Sequence, residues 1–222
     1  MSAISALAEH DSRVDRLIVN EGFSENGIYA ANMYHLGVPM TMIVDDYLPM
    51  KESNWNPGNF NTVFASIGKD GSLYGTIIEK MFAKYYGNFQ NIVGGWMGYA
   101  VAAMNGSPFQ EYWLNEYDKE TIWDLVIDAD GPEQNIVTAG SIFCGTHDES
   151  TTDGVQCGHA YSILAAFTLG DGTRLFKVRN PWGAERYTAR WSDRSSEWTP
   201  SRIEEVNDMG HGPVHVGDEC DR

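Results

Sequence analysis

The 222-residue sequence is poor in cysteine and lacks the cysteine spacing of disulfide-rich or zinc-binding domains. Its three cysteines are an odd number, and no two of them form a CxxC pair: Cys144, Cys157 and Cys220. This pattern argues against a disulfide framework and against a zinc ribbon. Reduced thiols are typical of intracellular proteins, so we expect an intracellular, cytoplasmic location.

Basic residues are also scarce, because 15 lysines and arginines stand against 31 aspartates and glutamates. The formal net charge of −16 argues against a nucleic-acid partner and against an anionic membrane surface. Long hydrophobic runs are missing as well, so no membrane span is predicted. The opening residues MSAISALAEHDSR have no basic stretch and reach charge early, which does not predict a signal peptide.

The composition is that of a globular protein, with 42% hydrophobic residues, 12% aromatic residues and enough chain for a core. A break near Gly106–Pro108 divides the predicted elements into two groups. The first group contains one helix over 4–18, strands within 27–37 and 38–50, a helix over 72–87 and a short helix within 92–108. Ser72 can cap the helix over 72–87, and Gly87 can end it. The second group contains a helix over 119–131, a strand containing Cys144 within 135–146, and a hairpin within 157–187.

The predicted hairpin has a histidine near its start and an asparagine near its end. Its turn is GDG at Gly170–Gly172, and Pro181 has no amide hydrogen with which to continue the second strand. A symmetrical hairpin would place His159 almost opposite Asn180, within side-chain reach. An amide can hold one imidazole nitrogen and leave the other free to take a proton from a nucleophile. The pair alone is equally compatible with a histidine that is merely hydrogen-bonded at a sheet end, which is the commoner case.

Several motifs in order resemble the calpain family. GHAYS, VRNPWG and RWSD resemble the second half of the calpain cysteine-protease core, and VDDYLP, EKMFAKYYGNF and GG resemble the first half. The resemblance extends from Met1 to about Trp198. It implies an α+β, papain-like fold of two lobes: a mostly helical first lobe over 1–106 and an antiparallel, β-rich second lobe over 107–222.

The resemblance also implies a reaction, the hydrolysis of peptide bonds in protein or peptide substrates by a cysteine thiolate. In that reaction His159 pairs with the thiolate and then protonates the leaving amine, while Asn180 orients the imidazole. Trp182 lines the cleft and shields the bond between these two side chains from water. Glycine at positions where substrate backbone lies close corresponds here to Gly94, Gly95 and Gly158. No oligomeric state is indicated.

The sequence departs from the family at its nucleophile. Calpains carry it in a motif like QGxLGDCW at a helix N-terminus, which helps to hold a thiolate. Here the first residues match the interior of that helix, and the end lacks a strand like DGxFWM, so the resemblance predicts a chain incomplete at both ends and inactive alone. Cys157 could share a strand face with His159, but the family places its nucleophile on the other lobe. The alternative function is a catalytically inactive calpain-like binding or scaffold module.

Calcium is the cofactor that the family implies, with one ion bound in each lobe by carboxylates and carbonyls. Asp193 matches one family ligand, whereas Ser72 and Arg186 stand where the family has glutamates. Since an arginine opposes a bound cation, we expect no tight calcium binding. A metal site in the polar tail lacks a supporting pattern around its three possible ligands, His211, His215 and Cys220.

Overall fold

The computed structural model describes residues 1–20, 22–53, 57–68, 70–131, 135–144, 151, 153–183 and 186–212. It contains helices and small antiparallel sheets in two compact units. The first unit comprises Met1, Ala3 and Leu7–Glu111, and the second comprises Ser2, Ile4–Ala6 and the described residues from Tyr112 onward. The assignment of protease lobes to 1–106 and 107–222 stays a prediction.

The first helix predicted over 4–18 is wrong, because two short helices occupy this segment: α1 (Ser2–Leu7) and α2 (Asp11–Leu17). His10 precedes α2 with an extended backbone, at φ −123° and ψ 121°. Its carbonyl accepts the amide hydrogen of Arg13 at 2.9 Å, so a new helix starts there. The apolar spacing continues across this break, which is why periodicity alone did not reveal it.

The first unit is built around a hairpin and one long helix. The hairpin strands β1 (Ile28–His35) and β2 (Val38–Asp45) are antiparallel, and the predicted strands are confirmed. Leu36 and Gly37 turn the chain with φ of 49° and 79°, the left-handed conformation that a two-residue turn requires. The remaining elements are β3 (Met50–Glu52), β4 (Phe60–Thr62), α3 (Tyr74–Tyr85), a 3-10 helix (Phe89–Ile92) and α4 (Met97–Asn105).

Helix α3 supplies the apolar centre of this unit. Its inward face buries Ile77, Ile78 and Met81 almost completely, and β1 buries alternate residues as a half-buried strand should. The predicted cap by Ser72 is wrong, because Leu73 is the N-cap residue and the Ser72 amide donates to Asp70 Oδ1 at 2.9 Å.

The second unit contains a three-stranded antiparallel sheet in the order β5–β6–β7. Its elements are α5 (Lys119–Asp130), β5 (Val137–Gly140), β6 (Ala160–Thr168), β7 (Arg174–Arg179) and α6 (Pro200–Asp208). The predicted α5 and hairpin are confirmed, whereas the strand predicted within 135–146 is only four residues long. Helix α6 was not predicted. Its start nevertheless has two sequence signals, since the Thr199 side chain accepts the Arg202 amide as an N-cap and Pro200 is the first helical residue.

A disulfide joins Cys144 to Cys157, with their Cα atoms 5.6 Å apart. The expectation of reduced thiols is therefore wrong for this pair, and Cys144 is exposed and outside any strand. Two backbone hydrogen bonds bring the segments together: Gly158 donates to the Ile142 carbonyl and Ser141 to the His159 carbonyl, each at 2.8 Å. A spacing of 13 residues along the chain carries no sign of this pairing.

The described helices are all too short or too polar to cross a lipid bilayer.

Candidate active site

The two predicted site residues flank the ends of the sheet strands, since His159 precedes β6 and Asn180 follows β7. A register shift between Ile163 and Ala165 changes the pairing, and the last pair of the ladder is Ser162 with Arg179. The symmetrical pairing of His159 with Asn180 is thus offset. The predicted contact between their side chains is nevertheless confirmed, because His159 Nε2 lies 2.9 Å from Asn180 Oδ1.

Aromatic rings contact the imidazole in addition to the amide. The Trp182 ring lies 4.2 Å from the His159 ring between centroids, at an angle of 43°. The Tyr161 ring meets it edge to face at 4.8 Å and 88°. His159 and Asn180 are half-buried, whereas Trp182 is 50% exposed. The imidazole is therefore held in one orientation by rings and by the amide.

The hydrogen bonds of Asn180 define which imidazole nitrogen carries the proton. Asn180 Oδ1 also accepts the backbone amide of Trp182 at 3.1 Å. A backbone N–H can only donate, so the amide oxygen must face it, and His159 Nε2 must donate to that same oxygen. A neutral imidazole then carries its lone pair on Nδ1, which has no hydrogen bond to any residue that the structure describes. Such a nitrogen can act as a base.

Ser141 holds the backbone of His159. Its hydroxyl oxygen accepts the His159 amide at 2.9 Å and its hydroxyl hydrogen points to the Gln156 carbonyl at 2.5 Å. The Tyr161 hydroxyl in turn accepts the Gln156 amide at 3.0 Å. Sequence reasoning missed both supports. The position of Tyr161 two residues after His159 on one strand face was a signal, whereas nothing in the sequence singled out Ser141.

The three glycines predicted to line the cleft differ in what requires them. Gly158 has φ of +57°, so its backbone conformation by itself favours glycine. Gly94 and Gly95 are exposed residues of the first unit without positive φ, and a Cβ on either would meet no atom within 4 Å. The described fold therefore needs no glycine at these two positions, and substrate contact at all three stays a prediction.

Neither cysteine near His159 offers a thiol. Cys157 lies two residues before His159 but is bonded to Cys144, so the alternative in which Cys157 attacks a substrate is not supported. Cys220 lies outside the described residues.

The positions that match calcium ligands in the family differ in their surroundings, and the expectation of no tight calcium binding stays a prediction. Among the described residues, no group of three or more histidine, cysteine or acidic side chains could hold a metal. Near Ser72, the Asp70 carboxylate accepts hydrogen bonds from the Ser72 amide and hydroxyl, and these bonds lower the pKa of Asp70. This carboxylate is therefore engaged within its own loop. Arg186 places a cation at the other matching position, and Asp193 is half-buried with partners of its own. In the tail, the His211 ring stacks on Phe167 at 4.7 Å, while His215 and Cys220 lie outside the described residues.

Comparison with known proteins identifies relatives over almost the whole chain. The model of the calpain family of cysteine proteases matches residues 1–215. Calpain clp-4 of Caenorhabditis elegans is 28% identical over 215 aligned positions, and the alignment covers 93% of this chain and 28% of that protein. The calpain-type cysteine protease DEK1 of Zea mays is 30% identical over 223 aligned positions, 97% of this chain and 10% of that protein.

The human calpain-1 catalytic subunit is 25% identical over 212 aligned positions, and the alignment covers 89% of this chain and 28% of that subunit. The chain thus spans between a tenth and about a quarter of the length of these relatives.

Proposed function

Because the chain belongs to the calpain family of cysteine proteases, we propose that it is the core of a cysteine endopeptidase that hydrolyses peptide bonds in protein substrates. The observation that carries this proposal is the hydrogen bond between His159 Nε2 and Asn180 Oδ1. That bond leaves Nδ1 as the basic nitrogen, which is what nucleophilic catalysis by a thiol needs.

In the proposed reaction, His159 Nδ1 takes the proton of a cysteine thiol, and the resulting thiolate attacks the substrate carbonyl. The imidazolium then gives this proton to the leaving amine, after which water hydrolyses the acyl-enzyme. Asn180 keeps the Nε2–H in place through both transfers. The Trp182 ring, which contacts the imidazole, would shield the His159–Asn180 bond from water. The proposal includes the papain-like arrangement of two lobes, over 1–106 and 107–222, and the close approach of substrate to Gly94, Gly95 and Gly158.

The attacking thiol is none of the three cysteines in this sequence. Cys144 and Cys157 are bonded to each other, and Cys220 lies in the polar tail, outside the described residues. We therefore expect the 222-residue polypeptide by itself to have no peptidase activity. The proposed steps do not involve a calcium ion, and the expectation of no tight calcium binding stays a prediction. The intracellular location stays a prediction, and the disulfide removes one of the observations on which it was based.

The test compares this polypeptide with one extended by family segments, QGxLGDCWF before Met1 and a strand like DGxFWM after Arg222. The extended protein should cleave casein, lose activity on thiol alkylation and lose at least about 10³-fold in kcat/KM on His159→Ala. Serine in place of the added cysteine is the matched control. Cleavage by the unextended polypeptide that Cys157→Ser abolishes would instead assign the nucleophile to Cys157.

The second candidate is a calpain-like binding module without catalysis. It is favoured, for the 222-residue polypeptide, by the absence of a cysteine in a motif like QGxLGDCW. An extended protein that folds, as judged by circular dichroism, but stays inactive while it binds casein would support this function over the protease.

A further inference from the structure

We propose that Cys144 and Cys157 are a reversible redox pair that controls the position of the His159 imidazole. The proposal concerns the regulation of the candidate active site, and its catalytic meaning rests on the proposed function. The structural effect itself does not, because it concerns only how one histidine is held. Small dithiols would reduce the pair, and small disulfides would oxidise it.

The backbone places the two cysteines within bonding reach independently of their sulfur atoms. Their Cα atoms are 5.6 Å apart, the separation that disulfides most often show. The Gly158-to-Ile142 and Ser141-to-His159 backbone hydrogen bonds, each at 2.8 Å, fix that separation. Because these bonds do not involve sulfur, the thiols stay close enough to reconnect after reduction. The pair can therefore open and close without refolding of the unit.

The disulfide lies next to the histidine in the chain. Only Gly158 separates Cys157 from His159. Its φ of +57° lies in the left-handed region, which glycine adopts more readily than other residues. The bond ties this segment to Cys144, three residues after Ser141, whose hydroxyl and amide hold the His159 backbone. Opening the disulfide removes the covalent link between these two segments and leaves the hydrogen bonds between Ser141 and His159 in place. The Nε2–H···Oδ1 bond to Asn180 should then break more often.

The two sulfurs differ in how a reagent can reach them, since Cys157 is 1% exposed and Cys144 is exposed. A thiolate of the dithiol therefore attacks Cys144 Sγ, the S–S bond breaks, and Cys157 leaves as a thiolate that takes up a proton in its buried surroundings. The second thiolate of the dithiol displaces Cys144, which is protonated in turn. The reagent becomes a cyclic disulfide, and the protein gains two electrons and two protons.

The experiment uses the full chain with Cys220→Ser, so that only the pair remains to be titrated. Reduced dithiothreitol and oxidised glutathione set the redox state, alkylation and mass spectrometry count the thiols, and ¹⁵N NMR follows the His159 ring, assigned with His159→Gln. We expect no alkylated thiol and a proton on Nε2 in the oxidised protein. In the reduced protein we expect two thiols and exchange of the Nε2 proton at least about tenfold faster.

The matched control adds Cys144→Ser to Cys220→Ser. Its His159 signals should equal those of the reduced pair and should not respond to dithiothreitol. Signals of His159 that coincide in the oxidised and reduced pair, with thiol counts of zero and two, would overturn the proposal. Two free thiols under oxidised glutathione would overturn it as well. Both outcomes are read without peptidase activity, so failure of the proposed function is distinguished by the casein assay alone.

Discussion

The centre of the first unit and the surroundings of His159 in the second unit are held together by different kinds of contact. Around α3, apolar side chains are almost fully buried, and Met81 is 0% exposed. Around His159, half-buried groups are held by directed hydrogen bonds, by ring contacts and by one disulfide. Apolar burial gives stability without a preferred direction, whereas hydrogen bonds fix an orientation at a smaller net gain in free energy. Changes in the two regions should therefore have separable effects on stability and on the site.

The largest effect on stability is expected from Met81→Ala in α3. Removing a fully buried side chain loses its transfer free energy and leaves a cavity, so the free energy of unfolding should fall by about 2–5 kcal/mol. Urea titration followed by circular dichroism measures this loss. Val38→Ala on β2, where the valine is 65% exposed, is the control and should change stability by less than about 0.5 kcal/mol. Equal losses in the two variants would contradict the assignment of the core to α3.

An intermediate effect on stability, but the largest on the site, is expected from Asn180→Ala. Loss of its hydrogen bonds should lower the free energy of unfolding by about 0.5–1.5 kcal/mol and reduce the fraction of His159 with a proton on Nε2. Urea titration and ¹⁵N NMR measure the two quantities.

The control for this variant is Asn32→Ala in β1, which removes an exposed hydrogen bond to the Arg16 carbonyl. It should leave the His159 ring unchanged. A tautomer ratio that is the same in wild type and Asn180→Ala would show that the amide does not direct the proton.

The smallest effect is expected from Glu79→Gln in α3. Burial raises the pKa of Glu79, although the amide of Ala65 donates to its carboxylate at 2.9 Å and acts in the opposite direction. The folded protein therefore binds this proton more tightly than the unfolded chain does. Stability should fall as pH rises from the unfolded pKa of Glu79, about 4.3, through the raised folded pKa.

Glutamine can still accept the Ala65 amide but carries no charge. Glu79→Gln should therefore stabilise the protein at pH 7, by less than about 1 kcal/mol because solvent screens a half-buried carboxylate. It should also flatten the dependence of stability on pH in this range, as measured by urea titrations between pH 4 and pH 7. A variant that is less stable than wild type at pH 7 and equally stable at pH 4 would reverse the expected sign.

By itself, the sequence determined the elements that depend on neighbouring residues. The β1–β2 hairpin follows from two β-rich segments around Leu36–Gly37, and α3 and α5 follow from apolar spacing. The contact between His159 and Asn180 was also predictable, because a hairpin turn relates the two positions through the chain that joins them.

Only the tertiary structure decided what distant segments do to one another. The break between α1 and α2 does not interrupt the apolar spacing, so periodicity could not show it. Backbone pairing between 141–142 and 158–159 brings together the Cys144–Cys157 disulfide and the hydrogen bonds of Ser141 to the His159 backbone. The sequences of these two segments carry no local sign of each other. Such pairing is selected by the packing of the whole unit, which is why residue types and spacing predicted the contact between His159 and Asn180 but not the groups that hold the His159 backbone.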